Sequence, residues 1–132
     1  MSLASAARAT VTHVAFAFLC MGGWALFANR AHGADALWPA LAQGTMSALI
    51  TLVLKRSLEA MSRRASGPTA YIAPPFISAA TILTVLIVAH SLIGTPEMFA
   101  TIAVPWSVST LYAIVYAAAL ARGRRTLEAD PG

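Results

Sequence analysis

The chain has 132 residues, of which 58% are hydrophobic and 11% charged, with a mean hydropathy of +0.71. Soluble domains carry about 45–50% apolar and about 25% charged residues, and one this small hides only about two-thirds of its unfolded surface. Composition therefore excludes a soluble enzyme, a disordered chain and, with one cysteine, a disulfide scaffold. The net charge of +4 would suit a nucleic-acid partner, but the placement of the charges points elsewhere.

Four runs contain no Asp, Glu, Lys or Arg: residues 10–28, 37–54, 76–93 and 98–121. Each is close to the roughly 20 residues that cross a ~30 Å hydrocarbon core at ~1.5 Å per residue. Backbone groups in lipid must pair internally, so each run is expected to be a helix. The sequence predicts an all-α membrane protein, a single four-helix domain over residues 1–132 arranged as two hairpins.

The first run follows Arg8 and precedes small residues at 31–36, a layout shared with cleavable signal peptides. Its length exceeds the usual 7–15-residue apolar region, so it is expected to be a retained span. Residues 29–36 and 94–97 read as turns, with Gly94 suited to the position just past a helix end. The second helix is expected to run on through KRSLEAMSRR until Ser66-Gly67-Pro68, inside a basic loop spanning 55–75. Pro74-Pro75 is expected at the start of the third helix, where a missing amide donor costs nothing.

Arg8, Lys55, Arg56, Arg63, Arg64, Arg122, Arg124 and Arg125 fall on one side of the predicted spans, and Arg30 alone falls on the other. Positive charge concentrates on the cytoplasmic side of membrane proteins, which places both termini and the central loop there. The basic residues are thus topology signals and contacts for anionic lipid, and no nucleic acid is expected as a partner. The expected location is the bacterial inner membrane, with membrane lipids as partners.

On the second span Ala40, Gly44 and Ala48 recur every four residues, and on the fourth Ser109, Ala113 and Ala117 do the same. Small residues at this spacing let helix backbones approach, so these two spans are read as the packing core. The sequence leaves open which helices they meet. Pro105 lies within the fourth span and lacks the donor for the Thr101 carbonyl, which marks a candidate hinge. Laid over itself with a shift of 62 residues, the chain pairs Ser47 with Ser109 and Arg63 with Arg125. The repeat of hydropathy is plainer than that of identity.

Ionisable groups inside a bilayer are expensive and default to functional candidates, yet no carboxylate, lysine or arginine lies near the middle of a span. His13 and His90 sit at opposite depths, roughly 20 Å apart by helical rise, so they cannot flank one haem iron. No cofactor, metal site or catalytic constellation is expected. Polar groups gather at the external turns, where Arg30, Asp35, His90 and Glu97 form the candidate site for an anionic headgroup. A simple ion pair between Arg30 and one of the two acids is the competing reading.

In length and span count the chain is similar in outline to the small multidrug exporters, but these depend on a glutamate in the first helix. That span here offers His13, Cys20 and Trp24 instead. It is also similar in outline to small four-span proteins associated with polyprenyl-linked sugar translocation, with no motif residue to carry across. The expected function is binding or translocation of a lipid-like or amphipathic substrate along the hydroxyls of the second and fourth spans. The alternative is a non-catalytic accessory subunit that stabilises or localises a larger membrane complex. Four helices enclose little space, so a homo-oligomer or a larger membrane-protein partner is expected in either case.

Overall fold

The computed structural model describes residues 3–129. The elements are α1 (Leu3–Ala28), a short 3₁₀ helix (Arg30–Ala36), α2 (Leu37–Arg64), α3 (Thr69–Leu92) and α4 (Met98–Ala129). All four α-helices are long and apolar enough to cross a membrane. α2 extends past its apolar run through Arg63 and Arg64, as its sequence implied, and stops where Ala65 turns to extended backbone. α4 likewise continues beyond residue 121 through its basic segment.

Three local details differ from the sequence reading or sharpen it. Residues 30–36 form a 3₁₀ segment rather than an open turn, broken at Gly33, whose φ of 58° and ψ of −126° favour glycine. α3 begins at Thr69, so Pro74 and Pro75 lie inside it. They therefore leave the carbonyls of Ala70 and Tyr71 without intrahelical donors. The helix starts early at the Ser66-Gly67-Pro68 turn, whose Gly67 and Pro68 carbonyls accept the Ala70 and Tyr71 amides, while Thr69 Oγ1 donates to the Ser66 carbonyl at 2.6 Å. At the other end of α3, Gly94 adopts φ 66° and the Thr95 amide returns to the His90 carbonyl at 3.0 Å. This is the helix ending expected of Gly94.

α1 lies chiefly against α2 and α3 against α4, while α2 also touches α3 and α4. The α1–α2 crossing is tight at two glycines. A Cβ on Gly44 would sit 2.9 Å from the Phe18 carbonyl oxygen, and one on Gly22 would sit 2.9 Å from that of Ala40. The partner of the small-residue ridge around Gly44 is thus α1 of the same chain. Ala113 and Ala117 of α4 are fully buried. Ala113 joins Leu54, Leu58, Ile82, Leu86 and Ile102 in the apolar core.

The distribution of polarity departs from that of a soluble bundle. Asn29, Gln43, His90 and Thr101 are fully buried, whereas Phe16, Leu19, Phe76 and Phe99 are each more than two-thirds exposed. Helices in hydrocarbon have no hydrophobic drive to turn Leu or Phe inward, and associate through van der Waals packing, small residues and hydrogen bonds. This pattern fits helices whose outer faces meet lipid.

Candidate functional site

At the end of the bundle bearing the two short connections, the polar residues divide into two buried ties and an exposed rim. The first tie is Asn29, just past α1. Its Nδ2 donates to the Thr101 hydroxyl at 2.7 Å and the Ala25 carbonyl at 2.9 Å. Its Oδ1 accepts the Glu97 amide at 2.9 Å, satisfying one of the orphan donors at the start of α4. The second tie joins α3 to α2. His90 Nε2 lies 2.9 Å from Gln43 Oε1 and Nδ1 lies 2.7 Å from Thr95 Oγ1. Gln43 Nε2 then donates to Ser47 Oγ at 2.9 Å. Because Gln43 presents its oxygen, the ring nitrogen facing it carries the hydrogen.

Of the four residues read from the sequence as a headgroup site, His90 and Glu97 line one concavity of about 370 Å³, whereas Arg30 and Asp35 are not part of its lining. Arg30 turns back on its own chain: its guanidinium donates to the Phe27 carbonyl at 2.8 Å and lies 4.0 Å from the Phe27 ring centroid. Among the described residues the ion pair at this end is His32 with Glu97, at 3.2 Å, so Arg30 pairs with neither Asp35 nor Glu97. This corrects the expected pairing. The physical reason is reach: Phe27 lies three residues away on the same helical end and supplies both an acceptor and a π-face. His90 is buried beneath the rim and already bonded on both nitrogens, so it offers no free donor there. Asp35 stays exposed on the 3₁₀ segment.

The larger concavity lies elsewhere, between α1, α2 and α4, with a volume of about 840 Å³. Thr10, His13, Val14, Ala17 and Met21 form its α1 wall, Ser47 and Thr51 lie on α2, and Pro105 and Ser109 lie on α4. Ser47 belongs to both structures, so the His90–Gln43 tie reaches the crevice wall. Pro105 is buried on that wall. Ser109 Oγ takes up the Pro105 carbonyl at 2.8 Å.

At the opposite end of the bundle, Tyr112 and Tyr116 stack with centroids 5.5 Å apart and both line the crevice. Tyr116 Oη donates to Glu59 Oε1 at 2.7 Å, and Arg124 donates to the Ala65 carbonyl at 3.2 Å. Lys55 and Arg56 line the crevice at this end. Gly22, Asn29 and Gln43 carry the close packing and the ties; the sequence places Asn29 in the external polar cluster and Gln43 beside the small-residue ridge without marking either as a site residue, and it gives Gly22 no role. The available signal was polarity, since Asn29 and Gln43 are amides set beside long apolar runs. No protein-family model, curated protein or solved structure matches this chain.

Proposed function

We propose that this is a small integral membrane protein of the inner membrane that binds or translocates a lipid-like or amphipathic substrate. The observation that carries the reading is the crevice between α1, α2 and α4, about 840 Å³ in volume and walled largely by apolar side chains with hydroxyls among them. Pockets of roughly 300–1,000 Å³ hold small-molecule ligands, and one walled by membrane-crossing helices is supplied from the bilayer. In this proposal α1–α2 and α3–α4 are two hairpins with both termini in the cytoplasm. The eight-to-one distribution of basic residues supports that orientation. A larger path would require a second copy of the chain.

The experiment is crosslinking with a lipid that carries a photoactivatable group on its acyl chain, in membranes containing the full chain. Adducts concentrated on Val14, Ala17, Met21 and Val108 are the expected result. Adducts spread evenly over outward residues such as Phe16, Phe76 and Phe99 would show annular lipid alone. Stoichiometric co-purification with a larger membrane protein, together with such a spread, would favour the accessory-subunit function.

A further inference from the structure

Resting on the crevice as a binding site for an amphipathic molecule, we infer that its ligand is an anionic phospholipid whose headgroup is held by Lys55 and Arg56. The wall hydroxyls of Ser47, Thr51 and Ser109 are already engaged. Thr51 Oγ1 donates to the Ser47 carbonyl at 2.8 Å and Ser109 Oγ to the Pro105 carbonyl at 2.8 Å, while Ser47 Oγ accepts from Gln43. Such back-bonding to the helix leaves little polarity to offer a ligand. The body of the crevice therefore suits an acyl chain, and a polar group belongs at its end.

That end is cationic. Lys55 and Arg56 line it, no lining residue is acidic, and neither cation forms an ion pair among the described residues. Glu59, one turn further along α2, accepts the Tyr116 hydroxyl at 2.7 Å, lies outside the lining and forms no ion pair among the described residues. Eight residues separate Ser47 from Lys55, about 12 Å along the helix, so chain and headgroup sites form one elongated path. A free anion would use only the cations and leave the apolar walls empty. A neutral lipid would leave both cations unmatched. A guanidinium beside an ammonium suits a phosphate, the first as a fork and the second as a point charge.

The test uses the full chain in a neutral detergent and lipids labelled on one acyl chain, read by fluorescence anisotropy. Phosphatidylglycerol is compared with diacylglycerol bearing the same chains. Phosphatidylglycerol is expected to bind on the order of tenfold more tightly, given two cations at the site. Lys55→Gln with Arg56→Gln should bring its affinity down to that of diacylglycerol. Arg63→Gln with Arg64→Gln removes equal charge from the same helix outside the crevice and should preserve the preference. A preference that survives the first pair, or falls as far with the second, overturns the inference in favour of the basic segment at large.

Val108→Trp places a large ring on an exposed position of the crevice wall. Its expected result is weaker binding of both lipids, with helicity by circular dichroism unchanged. If the wild-type chain binds both lipids equally and this variant loses both, the crevice binds lipid but not through headgroup charge, and the inference falls alone. If neither lipid binds, or the variant retains both at full affinity, the crevice reading falls and takes the inference with it.

Discussion

Gln43 shows how much one buried amide can organise. It faces His90 with its oxygen and Ser47 with its nitrogen, and it has no exposure of its own. An ordinary interhelical hydrogen bond in a bilayer contributes about 0.6 kcal/mol. Orphaning a buried partner costs about 1–3 kcal/mol, and Gln43→Leu orphans groups on both His90 and Ser47. The larger effect wins, so Gln43→Leu should destabilise the chain by about 2 kcal/mol or more, measured by denaturant titration of helicity in bicelles. Adding His90→Phe removes the ring that Gln43→Leu orphans but leaves the buried Thr95 hydroxyl without its Nδ1 partner. The double variant should therefore lose less than the sum of the two single losses, by the worth of the Gln43–His90 bond. A double variant as unstable as the sum of the two would show that the tie contributes nothing beyond packing. Arg30 is a contrasting case: exposed, back-bonded to Phe27 and paired with no acid. Arg30→Ala should cost less than about 1 kcal/mol in the same assay, the range of an exposed cation–π contact.

For the helices, the spacing of small residues decides how closely two axes approach. Gly22 and Gly44 each leave room for only a hydrogen where α1 crosses α2, because a Cβ at either would meet a backbone oxygen at 2.9 Å. Backbone cannot step aside as a flexible side chain does, so a larger residue must separate the helices and strip contacts from both. Gly23 is the built-in comparison, since a Cβ there meets nothing within 4 Å. Gly22→Leu and Gly44→Leu should each destabilise by about 1–3 kcal/mol, whereas Gly23→Leu should be near neutral in denaturant titration. Equal losses at all three would mean that close approach does not govern this crossing, since helix propensity alone favours Leu over Gly. α3 raises a different question. Two internal prolines leave two carbonyls without helical donors, and both rings are buried, so the protein exchanges helical hydrogen bonds for packing volume there.

Across the molecule the two ties share a plan. Asn29 after α1 binds the start of α4, and His90 near the end of α3 binds α2 close to its start. Each adjacent pair of helices is thereby fastened to the other at the same end of the bundle. The opposite end is held by Tyr116–Glu59 and Arg124–Ala65, and the crevice runs along the bundle toward it. In the proposed orientation the ties face the exterior and Lys55 and Arg56 face the cytoplasm. A reporter active only outside the cytoplasm should work when inserted at Gly33, where a side chain would meet nothing within 4 Å. The same reporter fused to the C-terminus should be silent. The reverse pattern would place the basic end outside and remove the cytoplasmic leaflet as the source of ligand.

The sequence alone determined the number of helices long and apolar enough to cross a membrane, and most of their limits. These follow from local properties, namely runs without charge, a glycine past a helix end and a basic segment continuing α2. It misplaced the start of α3, because the turn at 66–68 opens a helix that tolerates two prolines once they are buried. It also brought together Arg30, Asp35, His90 and Glu97 from their shared depth. Depth is set by helical rise, which sequence gives, but azimuth is set by which helix faces which. Only the tertiary structure decided that His90 turns inward to Gln43, that Arg30 folds over Phe27, and that the main crevice opens among α1, α2 and α4. The inward turn of His90 depends on a residue 47 positions away, where rotation of one helix by a single residue presents a different side chain to its neighbour, while Arg30 settles on a residue only three positions back.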